Sequence, residues 1–165
     1  MKIPVFVSCP TSLGPEQEQS RRLILRQLDK FGLEPRALGR SDYPVDTPLR
    51  EVLVLARHCA GGVVLGFSQY AAATAVAKPG SNEEKRLRNL SFPTPWNDLE
   101  AGILYSLGVP LLVFREPSVT GGIFDVGTSE IFVHRMPTAA IADDPGLGEV
   151  FLKWQGRVRE FYYGM

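Results

Sequence analysis

The chain has 165 residues, 44% of them hydrophobic, and carries 18 Lys+Arg against 18 Asp+Glu for a formal net charge of zero. Such a length fills one hydrophobic core and argues against two independent domains, while the balanced charge offers no general attraction for a phosphate backbone, so nucleic acid is not an expected partner. Cys9 and Cys59 are too few for a disulfide framework and lack the spacing of a zinc site, so no metal is expected and a reducing compartment is.

Residues 3–8 (IPVFVS) form an apolar run rich in β-branched and aromatic side chains that ends in the turn-forming Cys9-Pro10-Thr11-Ser12-Leu13-Gly14, which predicts a buried first strand. Pro15 suits a first helical position, and Leu23, Ile24, Leu28 and Phe31 recur at helical spacing before Gly32. Residues 35–38 read as a weaker second strand, followed by a polar loop over 39–46. Thr47-Pro48 repeats the cap-then-proline signal, and Leu49, Val52, Leu53 and Ala56 mark a second amphipathic helix. Residues 62–67 (GVVLGF) are apolar without alternation, the pattern of a strand covered on both faces. Small and charged residues over 68–93 predict a mobile loop insertion carrying a short helix.

Thr94-Pro95 opens the next helix, with Leu99, Ile103, Leu104 and Leu107 as its apolar stripe, and residues 109–114 supply another strand. A shorter strand over 130–134 and a terminal helix bearing Val150, Phe151, Trp154, Val158 and Phe161 complete the chain. Strands alternating with helices imply a single three-layer α/β domain, a flavodoxin-like doubly wound parallel sheet of about five strands. The helix-preceding loops 9–14, 39–46, 68–93 and 115–129 then gather at the carboxyl ends of the strands, where such sheets bind ligands.

No apolar run approaches the roughly 20 residues of a membrane span, and the opening Met1-Lys2-Ile3-Pro4 runs into a strand without a signal-peptide core. A cytoplasmic protein without a membrane partner is the expectation.

The most informative segment is Thr94-Pro95-Trp96-Asn97-Asp98-Leu99-Glu100-Ala101-Gly102. Trp96 and Glu100 share a helix face beside the apolar stripe, in the first turns of a helix that starts at the ligand edge. A carboxylate there, partly out of water, beside an aromatic ring and a glycine that permits close approach, is able to shift its pKa or hold a substrate. The alternative is a solvated Glu100 near a favourable dipole end and Trp96 as a core anchor.

From Gly32 to about Phe114 the layout resembles Toll/interleukin-1 receptor (TIR) domains. The stretch Gly61-Gly62-Val63-Val64-Leu65-Gly66-Phe67-Ser68-Gln69-Tyr70 and then Trp96 four residues before Glu100 are similar to that family's strand with a Ser-x-x-Tyr-like end and its Trp-x-x-x-Glu helix. In its enzymatic members the glutamate is required for cleaving NAD. Glu100-Ala101-Gly102 is also similar to the Glu-x-Gly pattern of nucleoside 2-deoxyribosyltransferases, flavodoxin-like enzymes whose glutamate is a nucleophile. The chain departs from both: Ser8-Cys9-Pro10-Thr11-Ser12 stands where TIR domains carry Ser-Tyr and an aspartate, and no Asp-x-Gly-Thr precedes Glu100.

What the resemblance implies is cleavage of an N-ribosyl bond. In NAD this would be hydrolysis or cyclisation to ADP-ribose or a cyclic ADP-ribose, in a homo-oligomer and in the setting of bacterial antiphage immunity, with NAD as substrate and no cofactor. A nucleoside or nucleotide 2-deoxyribosyltransferase or N-ribohydrolase is the second reading, and a non-catalytic nucleotide-binding or assembly module the third. Departure of a base leaves an oxocarbenium-like centre that a carboxylate can stabilise or capture. Nicotinamide leaves as a neutral base, whereas an ordinary nucleoside needs a proton donor, for which Asp42, Asp98 and Asp125 are candidates. The expected catalytic residue is Glu100. The expected substrate-binding set is Ser8, Cys9, Pro10, Thr11, Asp42, Gly66, Phe67, Ser68, Trp96, Asn97, Phe124 and Asp125, with Phe124 and Asp125 walling the base pocket. Cys9 is a lesser candidate nucleophile, since neither His58 nor His134 is near it in sequence, and His58 reads as structural.

Overall fold

The structure, a computed structural model, describes residues 1–39, 47–141 and 144–164. Five parallel strands make the central sheet: β1 (Ile3–Ser8), β2 (Leu33–Arg36), β3 (Gly62–Gly66), β6 (Leu111–Arg115) and β7 (Val133–Arg135), in the order β2-β1-β3-β6-β7. Four α-helices, α1 (Pro15–Lys30), α2 (Pro48–Arg57), α3 (Pro95–Ser106) and α4 (Pro145–Gly164), cover both faces. The result is the expected three-layer, flavodoxin-like α/β fold.

Alternation along the strands sorts the core into two sides. Val5, Val7, Val63, Leu65, Leu112 and Phe114 meet Ile24 and Leu28 of α1 and Phe151, Trp154 and Val158 of α4. Phe6 and Leu111 meet Val52 and Leu55 of α2 and Leu104 of α3, and Val64 and Val113 pack on Ala101 of α3. The Trp154 indole N–H donates to the Pro110 carbonyl at 3.1 Å, which settles the one polar atom of a buried aromatic. By the same alternation Ser8, two residues beyond Phe6, faces α3.

The α3 interface differs from the stripe read in the sequence. Asn97, Ala101 and Leu104 are its buried residues, whereas Leu99 is 42% exposed. The helix is seated by small residues: a Cβ on Gly62 would come within 2.8 Å of Leu104 Cδ1, and Ala101 lies against Val64 and Val113. Close approach of backbone to sheet, rather than the count of leucines, sets the rotation of the helix and turns Asn97 inward.

The strands at the sheet edges are shorter or shifted from their expected bounds. In β2, Pro35 pairs with Val5, a position an edge strand tolerates because one side of its backbone has no ladder to supply. At the other edge β7 has three residues, and Phe132 just before it is 72% exposed.

The 68–93 segment is not a loop with a short helix but an antiparallel hairpin, β4 (Tyr70–Ala77) paired with β5 (Lys85–Phe92), in register from Tyr70↔Phe92 to Ala77↔Lys85. Its turn places Lys78 and Gly80 at positive φ of 51° and 77° and is crossed by a Lys78–Glu83 ion pair. Alanine propensity favours a helix for residues 71–73, but the segment has no apolar stripe to bury as one. Pairing two strands satisfies the backbone instead.

Chain direction reverses across the sheet between β1 and β3: β1 leads to β2 on one side, and β3 leads through α3 to β6 and β7 on the other. The crevice at the carboxyl ends of β1 and β3 is therefore the topological switch point.

Candidate functional site

A cavity of about 370 Å³ opens at that point, a volume at the lower end of the range for small-molecule sites. Cys9, Pro10, Thr11 and Ser12 after β1 form one wall, Leu38 and Gly39 after β2 another, and Pro48 and Val52 of α2 a third. Gln69 at the foot of the hairpin and Thr94, Trp96, Asn97 and Glu100 of the α3 start close it.

Local sequence explains how α3 presents its polar residues. Thr94 is the N-cap, its side chain accepting from the Asn97 backbone N–H at 3.3 Å, and Pro95 takes the first helical position. Asn97 and Glu100, three residues apart, then point to the same side within the first two turns. Trp96, 44% exposed, stands at the rim and is not the core anchor that the alternative reading made it.

Below Glu100 lies Ser8, fully buried at the end of β1. The Ser8 hydroxyl donates to Glu100 Oε2. The Asn97 amide Nδ2 donates to Ser8 Oγ at 2.9 Å. Burial pushes the Glu100 carboxyl up from 4.5 to about 7, and the Ser8 hydrogen bond, which favours the charged form, partly opposes it. A carboxyl group that titrates near neutral pH at the wall of a cavity is suited to alternate between an ionised, proton-accepting form and a protonated one.

The expected residues divide into two groups. Cys9, Pro10, Thr11, Trp96, Asn97 and Glu100 line the cavity, with Ser8 directly behind Glu100. Gly66, Phe67, Ser68, Phe124 and Asp125 do not line it. Phe124 is fully buried against Val64, Ala101 and Val113, and a Cβ on Gly66 would lie 2.5 Å from Phe124 Cε1, so this glycine makes room for a core ring rather than for a ligand. Phe67 is likewise fully buried, in the core on the α1 and α4 side. Ser68 is bound up in the hairpin foot: its N–H donates to Glu116 Oε1 at 2.8 Å and its hydroxyl accepts from Ser91.

Neither described candidate proton donor reaches the cavity. Asp98 Oδ1 accepts from the Ile123 N–H and Asp125 Oδ1 from the Gly121 N–H, both at 2.9 Å, fastening the loop after β6. Asp42 lies outside the described residues. Gly102 is exposed, and a Cβ there would meet nothing within 4 Å, so it does not serve close approach. His58 ends α2 with Nδ1 2.7 Å from the Val54 carbonyl, and neither it nor His134 lines the cavity.

Sequence reading missed Leu38, Gly39, Pro48, Val52, Gln69 and Thr94 as lining residues. Their signal was topological: once β2 lies beside β1, the loop after β2 and the start of α2 must flank the loop after β1. A larger depression of about 720 Å³ lies beside β7, between Trp154, Phe132 and His134. It lies outside the β1/β3 crevice and among the described residues lacks a buried carboxylate, and burial there pushes the His134 imidazole below its usual pKa. Among the described residues no three His, Cys, Asp or Glu side chains converge as a metal would require, and no described helix is long and apolar enough to cross a membrane. No protein family, curated protein or solved structure matches the chain.

Proposed function

We propose that the protein cleaves the N-ribosyl bond of NAD and releases nicotinamide. The observation that carries this reading is Glu100, a partly buried carboxylate on the wall of a cavity at the β1/β3 switch point, its Oε2 held by Ser8. In the reaction the C1′–N bond breaks and its electron pair leaves with nicotinamide as a neutral base, so no acid is needed at the leaving group. Ionised Glu100 faces the positive charge that develops on the ribose and stabilises or captures it. Water then adds at C1′, breaking the C1′–O bond to Glu100 where one has formed, and its proton passes to the free carboxylate, whose pKa of about 7 suits it as acceptor. An adenine nitrogen attacking C1′ instead of water would give a cyclic product.

The lining supports NAD over an ordinary nucleoside. Glu100 is its sole carboxylate among the described residues, and Asp98 and Asp125 are engaged elsewhere, so among the described residues a poor leaving base finds no second acid. The flat side chain of Trp96 at the rim suits stacking on a base. Homo-oligomeric assembly, cytoplasmic location and a part in bacterial antiphage defence belong to this reading through the TIR-like Trp96–Glu100 pair.

The test is incubation of the purified protein with NAD, with nicotinamide, ADP-ribose and cyclic ADP-ribose separated by chromatography. The expected result is nicotinamide release that rises with pH through about 7 and falls at least ~100-fold in Glu100→Gln, the scale of losing a principal electrostatic stabiliser. Equal rates for the wild type and Glu100→Ala would remove Glu100 from the mechanism. Base exchange between two nucleosides, with NAD untouched, would transfer the chemistry to a nucleoside substrate.

A further inference from the structure

We propose that Ser8 and Asn97 are positioning residues for Glu100: Asn97 commits the Ser8 hydroxyl to be a donor, and Ser8 in turn holds the Glu100 carboxylate in place at the cavity wall. The inference rests on the proposed function only for the identity of the sugar that Glu100 faces; the hydrogen-bonded chain itself involves this protein alone.

The order of donors follows from the inventory of partners. The amide nitrogen of Asn97 faces three oxygens, Ser8 Oγ at 2.9 Å and the Ser8 and Leu65 carbonyls at 3.4 Å each. Its Oδ1 accepts from the Thr94 hydroxyl at 3.3 Å. Turning the amide over would set Oδ1 against two carbonyl oxygens that cannot donate, so one orientation stands. With Asn97 donating into Ser8 Oγ, the single Ser8 proton is left to point at Glu100 Oε2. Ser8 and Asn97 are 0% and 1% exposed, so water does not compete for these bonds.

Buried polar side chains inside an otherwise apolar layer are costly to desolvate and are kept where they hold something. Here they span the two elements that build the site. Ser8 ends β1 and Asn97 lies one helical turn before Glu100, so the chain sets where α3 rests on the sheet and where its carboxylate points.

A purely structural staple and a positioning chain differ in what they do to the charge on Glu100. The Ser8 hydroxyl stabilises the ionised carboxylate, and its removal must raise the titration midpoint. Cys9 is the other titratable group on the cavity wall among the described residues. The described α2 and hairpin residues on that wall, Pro48, Val52 and Gln69, bear no charge, and Asp98 of α3 is turned to Ile123.

The experiment follows the Glu100 carboxyl by NMR in protein labelled with carbon-13 glutamate, across pH 5 to 10, in the wild type and in Ser8→Ala, Asn97→Asp and Ser8→Thr. Glu100→Gln identifies the resonance. The wild-type midpoint is expected at about 7. In Ser8→Ala it rises by about one pH unit, the scale of one hydrogen bond to a charged group. Asn97→Asp, nearly isosteric, raises it as well, because a carboxylate there accepts the Ser8 proton and repels Glu100; it also sets an oxygen against the Ser8 and Leu65 carbonyls, so Ser8→Ala is the variant that keeps the fold. Ser8→Thr retains a hydroxyl and the wild-type midpoint.

NAD cleavage is measured on the same proteins. A one-unit rise leaves about one tenth of Glu100 ionised at pH 7 instead of about one half, so kcat falls about fivefold there and recovers toward pH 9, with KM little changed. A structural staple alone would lower kcat alike at every pH. An unmoved midpoint in folded Ser8→Ala and Asn97→Asp overturns the inference whatever the activity. A shifted midpoint in a protein that leaves NAD intact supports the positioning chain and rejects NAD as the substrate.

Discussion

Replacing Glu100 by glutamine should stabilise the protein, and by an amount that depends on pH in a way no other described residue of the cavity would produce. The carboxyl titrates near 4.5 when exposed and at about 7 in the fold, chiefly because burial disfavours its charge. Below pH 4.5 both the folded and the unfolded chains hold the proton and the residue is neutral in its effect. Between 4.5 and 7 the folded state keeps a proton that the unfolded state has released, so stability falls as pH rises. Above about 7 the full penalty is present: 2.5 pH units at about 1.4 kcal/mol each is between about 3 and 3.5 kcal/mol. Glutamine cannot ionise, so the Glu100→Gln advantage should be small at pH 4.5 and grow to about 3 kcal/mol by pH 8. For a chain of this size that is a rise in Tm of about 6–12 °C. Urea unfolding of both proteins at half-unit steps between pH 4.5 and 8.5 measures it. A stability difference that stays flat across this range would mean that Glu100 is well solvated, and the argument for a destabilised, reactive carboxylate would fail.

Two further substitutions separate packing from chemistry. Gly66→Ala should destabilise by about 1–3 kcal/mol in urea unfolding, the range for overpacking a core, since its Cβ would meet the Phe124 ring at 2.5 Å and the Phe114 carbonyl oxygen at 3.1 Å; a neutral effect would show that the ring moves aside freely. Gly102→Ala, in the interior of α3 with open space around the new methyl, should instead stabilise by about 0.5–1 kcal/mol through helix propensity and leave NAD cleavage intact, while a loss of cleavage would restore the glycine to the site.

Hydrophobic periodicity alone made most of the architecture legible. The unbroken apolar run over 62–67 could only be a strand covered on both faces, and Leu23, Ile24 and Leu28 could only line one side of a helix, because burial acts through local spacing that is written along the chain. The cap Thr94 with Pro95, and Trp96 one turn before Glu100, were likewise local facts, so the start of α3 and its leading residue were readable. The hairpin was not, since pairing between Tyr70 and Phe92 is a contact between distant residues and Ala71-Ala72-Ala73 favours a helix when considered alone.

The rest of the site was decided in three dimensions. Ser8 and Glu100 are 92 residues apart, and only the parity of β1 together with the close seating of α3 over Gly62 brings hydroxyl to carboxylate. Phe124 and Asp98, which chemistry alone made candidates for the cavity, are consumed in packing and in capping the loop after β6. Residue types and periodicities therefore specified which elements form and which carboxylate to watch. Its partners, its burial and hence its acidity depend on which side chains the sheet order makes neighbours, and a linear pattern holds no term for that.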